Sequence, residues 1–192
     1  MKLITFATIN EAAASLSSFD AKLLQTGLYS STIGLIAITG IGSYAASAAL
    51  KRIPYDFDSI INIGLAGSVR PELELGSMHA ITTCKKHLWH PQGQTAALNS
   101  LAALLEDIHL DANGLTLSTL DFPLHDVPDT LKNSTDLVDM EGYAIALEAS
   151  LLGKKCQLYK LVSDHCTGQT VSQIKNNMGK YSQLIARFLN NN

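Results

Sequence analysis

Charge is scarce in this chain. Of 192 residues 16% are charged, with 14 Lys and Arg set against 17 Asp and Glu, a formal net charge of −3. No basic excess exists to neutralise phosphates, which excludes nucleic acid as a partner. Cysteine is sparse as well: Cys84, Cys156 and Cys166 are odd in number and scattered. That pattern excludes a disulfide framework and reads as a reduced intracellular protein. No apolar run reaches the roughly 20 residues that span a bilayer, so no membrane partner is expected. Met1-Lys2-Leu3-Ile4-Thr5-Phe6-Ala7 begins like a signal peptide, but Asn10 and Glu11 interrupt it before any cleavage site. The expectation is a soluble, cytoplasmic chain. Internal repeats and low-complexity linkers are lacking too. With 46% hydrophobic residues, the length predicts one domain, 1–192, around one core.

What is present is an alternation of short aliphatic runs with Ala- and Leu-rich helical runs, which predicts an α/β fold. Strands are expected over Leu3 to Ala7, Ile33 to Thr39, Ser59 to Ile63, Met78 to Thr83, Leu115 to Thr119 and Gln157 to Val162. Helices are expected over Glu11 to Phe19, Tyr44 to Arg52, Leu98 to Ile108, Leu137 to Leu152 and Val171 to Leu189, with Gly153 ending the fourth. Lys85 to Gln94 yields no assignment, and Leu120 to Ser134, with Pro123 and Pro128, reads as loop.

Several motifs carry chemistry. Thr39-Gly40-Ile41-Gly42-Ser43-Tyr44-Ala45 satisfies G-x-G-x-x-A between a strand and a helix, the pattern of a dinucleotide-dependent oxidoreductase. The plainer reading is a tight strand-to-helix turn, because a strand and helix precede it and the next strand ends in Gly64-Leu65-Ala66-Gly67 without the acid that a ribose would need. Small residues at that strand end let a flat ligand approach the backbone, or simply pack close. Cys84, His87 and His90 are spaced by three but lack a fourth ligand, so no metal is expected.

The acids weigh more. Asp139-Met140-Glu141 is expected to open a helix, and Ser163-Asp164 closes an apolar strand. Acids in a first helical turn can merely complement the dipole, and Ser163-Asp164 can merely cap the next segment. Paired acids on separate elements also suit cleavage of a glycosidic bond, where one protonates the leaving group and another activates the nucleophile. Glu141 in a cleft would hold the vicinal hydroxyls of a ribose, and a protonated Asp164 would donate to a purine N7. Glu11, behind the first strand, would serve as general base for water; Asn10 is expected to cap its helix.

Gly40-Ile41-Gly42, Ile60 to Gly67, Leu73-Glu74-Leu75-Gly76, Val138 to Ala144 and Leu161-Val162-Ser163-Asp164, in that order over nearly the whole chain, resemble the purine nucleoside phosphorylase and nucleosidase superfamily. Within it they are similar to bacterial 5′-methylthioadenosine/S-adenosylhomocysteine nucleosidases and their futalosine-type relatives. The resemblance implies a single α/β domain on a mixed, partly closed β-sheet flanked by helices, usually a homodimer with sites near the interface. It implies that Glu11 activates water, that Asp164 protonates N7 with Ser163 holding it, and that Glu141 binds ribose above Met140. Phe122 would stack on the base, and Ala66 and Gly67 would line its pocket. No cofactor is implied. Relatives often carry arginine where this chain has Lys160, serine or threonine where it has Leu65, and glutamate where it has Asp139.

A phosphate nucleophile needs a cationic cradle, whereas the loop after the first strand offers Glu11; hydrolysis is expected. An acid at Asp164 suits adenine, which presents an amine, over a 6-oxopurine. The expected activity is hydrolysis of the N-ribosyl bond of methylthioadenosine, S-adenosylhomocysteine or aminodeoxyfutalosine. A futalosine hydrolase of menaquinone biosynthesis and a catalytically weak nucleoside-binding homologue remain the alternatives.

Overall fold

In the computed structural model, which describes residues 1–88, 105–111 and 113–192, β-branched and aliphatic runs build one mixed sheet. The strands are β1 Lys2–Phe6, β2 Lys22–Gln25, β3 Leu28–Ser31, β4 Gly34–Ile38, β5 Ser59–Ser68, β6 Met78–Lys86, β7 Ile108–His109, β8 Leu115–Thr119, β9 Leu137–Asp139 and β10 Lys155–Asp164. Among the described residues the helices are α1 Ile9–Ser18, α2 Ser43–Lys51, the short α3 Asp129–Lys132, α4 Gly142–Leu151 and α5 Thr170–Asn190. Neighbouring strands run in the order β10-β6-β8-β9-β5-β1-β4-β3-β2, and β10 also pairs with β5. That extra pairing closes β5, β10, β6, β8 and β9 into a ring, so the sheet is a small barrel with an open wing.

Alternation along the central strands sorts two cores. On β1 and β5, Leu3 and Ile60 pack with Ala46 and Leu50 of α2 and Ile145 and Ala149 of α4. Ile4, Phe6, Ile61 and Ile63 pack on the other face with Ala12 of α1 and Tyr181 and Ile185 of α5. Side chains of a strand point alternately to opposite faces, so an uninterrupted apolar run is what a strand covered on both sides requires. α5 is the amphipathic helix its spacing predicts. No described helix is long and apolar enough to cross a membrane.

The structure departs from the sequence-based expectation in several places. Leu137–Asp139 is a strand, β9, and the helix begins only at Gly142; all three residues pair with β8, and Leu137 and Val138 also with β5, so sheet pairing outweighs a helical period that truly starts at Gly142. Asn10 does not cap α1. Thr8 does, accepting from the Glu11 N–H at 3.3 Å and donating to Glu11 Oε1 at 2.9 Å, a variant of the capping box that Thr8-Ile9-Asn10-Glu11 spells. β5, expected over Ser59 to Ile63 with Gly64 to Gly67 at its end, runs on through those residues to Ser68. The β2–β3 hairpin, with β2 exposed throughout, was not expected at all. Of the helix expected over Leu98 to Ile108, residues 98–104 lie outside the described residues; Ile108 belongs to β7.

Candidate active site

The parallel strands β1, β4, β5 and β10 bring their C-terminal ends to one edge, where open α/β sheets hold ligands. A cavity of about 280 Å³ opens there. Glu11, Ala66, Gly67, Phe122, Met140, Glu141, Ser163 and Asp164 all line it. The eight positions singled out in the sequence are thus brought together from α1, β5, the loop after β8, the turn after β9, and β10.

Backbone irregularities aim the acids. β10 stays in register with β5 from Lys155 opposite Ser59 to Val162 opposite Ala66, then slips so that Asp164 faces Gly67. A bulge of this kind re-aims a side chain. Gly67 has to be small: a Cβ there would lie 2.6 Å from Cys166 Sγ and 3.1 Å from Asp164 Oδ1. Asp164 is then pinned. Its Oδ1 accepts from the Cys166 N–H at 2.8 Å and the Thr170 hydroxyl at 2.7 Å, and its Oδ2 lies 2.7 Å from Ser163 Oγ. Ser163 Oγ is also 3.1 Å from the Ala66 carbonyl. Tyr181 donates to the Ser163 carbonyl at 2.8 Å from the middle of α5.

Glu11 sits at the start of α1, buried against β5, where a Cβ on Gly64 would lie 2.9 Å from its Oε2. Burial raises its pKa above the ordinary glutamate value, opposed by the Thr8 hydroxyl, by Lys160 and by backbone donors. Glu141 accepts from the Gly42 N–H at 2.7 Å. Gly42 has φ 94° and opens α2, so the amide that a G-x-G turn would turn toward a pyrophosphate is already engaged by the chain's own carboxylate. Burial first, then the like charge of Asp139, pushes Glu141 up to about 7.

Beneath these acids lies a buried polar network. Lys160, 1% exposed, donates to Asn62 Oδ1 at 2.6 Å and to Asp139 Oδ2 at 2.8 Å. Burial opposes its charge, but Asp139, Glu141 and Glu11 together raise its pKa. Asp139 also accepts from Thr119 Oγ1 at 2.6 Å and from the Gly142 N–H at 2.8 Å. Thr8, Asn62, Cys166 and Thr170 line the cavity too and were not singled out. Asn62 and Lys160 had a signal, each a polar residue inside an apolar strand that must find a buried partner. Among the described residues no group of His, Cys, Asp or Glu is placed to hold a metal; of the Cys84, His87 and His90 spacing, His90 lies outside them.

The model of the phosphorylase superfamily matches residues 10–191. The chain belongs to that superfamily. None of the curated proteins matches it significantly. Among solved structures, an aspartate-to-asparagine form of the Chlamydia trachomatis MTAN bound to MTA shares 27% identity at a TM-score of 0.78, over 97% of this chain and 93% of that one. The Chlamydia trachomatis protein bound to adenine gives 27% and 0.75 over the same shares. A mutant of Helicobacter pylori futalosine hydrolase matches in fold, with 16% identity and a TM-score of 0.76 over 98% of this chain and 96% of that one. The choice of nucleophile rests on the site itself.

Proposed function

We propose that the chain hydrolyses the N-ribosyl bond of a 5′-modified adenine nucleoside, releasing adenine. The observation that carries the reading is the convergence of three acids on one cavity: Glu11 from the start of α1, Glu141 from the turn after β9 and Asp164 from the end of β10. Protonated Asp164 donates to N7, which turns adenine into a leaving group as the ribose gains oxocarbenium character. The Ser163 hydroxyl has one proton and two oxygen neighbours. Donating to Asp164 Oδ2, it leaves the other lone pair of that oxygen to carry the proton that goes to N7. Glu11, whose pKa burial raises above the ordinary glutamate value, takes a proton from the attacking water. Ionised Glu141 binds the ribose hydroxyls, with Met140 beneath the sugar and Phe122, half-exposed at the mouth, over the base.

Water is favoured over phosphate by charge. Among the described lining residues Lys160 is the single Lys or Arg, and Asp139 holds it at 2.8 Å. A phosphate beside Glu11 would meet repulsion without a free cation, whereas a phosphate site needs a cationic cradle. The similarity to the Chlamydia trachomatis MTAN bound to MTA supports the same choice. Aminodeoxyfutalosine remains among the candidate substrates, and with it a place in menaquinone biosynthesis. A cytoplasmic homodimer fits the free cysteines and the exposed apolar side chains Tyr44, Leu147, Leu151 and Leu152 on α2, α4 and its end.

Turnover of methylthioadenosine, S-adenosylhomocysteine and aminodeoxyfutalosine by Glu11→Gln and Asp164→Asn tests the roles. Each substitution is expected to lower kcat by about 10²–10⁴. Full turnover in either variant sinks the assignment. Tight nucleoside binding by the unmodified protein without cleavage would mark it instead as a binding homologue.

A further inference from the structure

Asp164 leaves little room for the 6-substituent of a purine. Its Oδ1 offers two lone pairs in the carboxylate plane, and both are taken, one by the Cys166 N–H at 2.8 Å and one by the Thr170 hydroxyl at 2.7 Å. Its Oδ2 accepts from Ser163 on one lone pair and carries the proton for N7 on the other. An exocyclic amine therefore does not find an open acceptor on Asp164. The two donors differ in kind: a peptide N–H can only donate and is fixed by the chain, whereas a hydroxyl rotates, donates and accepts. Thr170 opens α5, is 5% exposed, and lines the same cavity as Asp164.

We infer that Thr170 is a specificity-determining residue whose hydroxyl, interposed between Asp164 and the 6-position of the bound purine, reads that position and admits both amino and oxo substituents. The inference rests on the proposal that Asp164 faces the base. Toward a 6-aminopurine the hydroxyl keeps donating to Oδ1 and accepts from the amine. Toward a 6-oxopurine it turns and donates to the carbonyl, leaving Oδ1 with the Cys166 N–H alone. The amino base keeps every donor of the resting site, so it is preferred. The oxo base still finds a donor, so it is not rejected outright. No proton is transferred to or from Thr170 in either case.

Without the hydroxyl, a 6-carbonyl would face Asp164 Oδ1 and a methyl group with nothing to donate to it. An unpaired buried acceptor costs enough to change a rate ratio about tenfold or more. The test compares the unmodified protein, Thr170→Val and Thr170→Ser on methylthioadenosine and its 6-oxo counterpart methylthioinosine, and measures adenine and hypoxanthine affinity of all three by calorimetry. The amino-over-oxo ratio of kcat/KM is expected to rise at least about tenfold in Thr170→Val, and to stay near the original in Thr170→Ser. An equal fall on both substrates in Thr170→Val overturns the inference, because a residue that merely anchors α5 would move both alike. If the unmodified protein binds both bases but cleaves neither nucleoside, the catalytic reading fails while the ratio of base affinities still decides on Thr170. If it neither binds nor cleaves, both readings fall.

Discussion

Replacing Lys160 by methionine tests the electrostatic frame of the site, because the length of the side chain is kept and its charge removed. Lys160 is 1% exposed and its ammonium lies 2.8 Å from Asp139 Oδ2. At that separation and an effective dielectric of about 20, the attraction is on the order of 6 kcal/mol before desolvation is counted. Desolvation offsets much of it in the intact pair. The variant keeps the desolvated carboxylate and loses its partner, which costs about 3–5 kcal/mol. In a domain of this size that is a fall in Tm of roughly 6–20 °C. Asp139 keeps the Thr119 and Gly142 donors, which puts the expected loss toward the lower end.

The loss must also depend on pH. Lys160 pulls the pKa values of Glu11 and Glu141 down against their burial, so without it both rise further. A carboxyl whose folded pKa lies above its unfolded value contributes stability that is lost as pH rises through the folded pKa. The deficit of Lys160→Met is therefore larger at pH 8 than at pH 5. Urea denaturation at both pH values measures it, with Lys132→Met as control, since the Lys132–Asp129 pair is exposed and little change is expected there. Asp139→Asn added to Lys160→Met should recover part of the loss. A deficit of Lys160→Met below about 1 kcal/mol, the worth of an exposed pair, would refute the reasoning; so would a deficit that shrinks as pH rises.

Glu141→Gln keeps an acceptor for the Gly42 N–H and removes a carboxyl raised to about 7. The stability this glutamate contributes is complete below about pH 4.5 and lost through pH 7, so the variant's stability changes less over that window. At pH 8 the variant should be the more stable, by an amount on the order of the cost of the shift, a few kcal/mol, although it binds ribose worse; equal pH slopes in thermal melts would contradict this. In the unmodified enzyme KM should climb as pH drops below about 7 and Glu141 protonates, and a KM flat from pH 5 to 8 would show that the ionised form is not needed. Gly64→Ala places a methyl 2.9 Å from Glu11 Oε2 and should lower kcat/KM by about 10²-fold, the usual effect of displacing a reacting group by about an ångström; undiminished kinetics would mean that Glu11 is not the base.

Much of this was legible in the residues. The apolar runs at Ile60-Ile61 and Leu161-Val162 announced strands covered on both faces, and the cavity is lined by all eight positions named for the site. What escaped depends on the closure of the sheet. Leu137–Asp139 reads as a helix start because Ala144, Leu147 and Leu151 continue a helical spacing; only the pairing with β5 and β8 makes it a strand. Lys160 looked like a weak stand-in for arginine until Asn62 and Asp139 arrived from two other strands to hold it. Thr170 was invisible as a site residue because its partner, Asp164, is turned toward it by the slip in register after Val162. Thr8, by contrast, was readable: a threonine three residues before a glutamate announces a capping box, and Asn10 drew the attention instead.

The central claim is that a desolvated glutamate and a protonated aspartate break the bond with water. Its most direct test is chromatography of the products of methylthioadenosine in phosphate-free buffer and again with added phosphate. The account predicts free adenine and free methylthioribose at a rate that phosphate does not change. Adenine release that requires phosphate, with methylthioribose 1-phosphate as the second product, would contradict it.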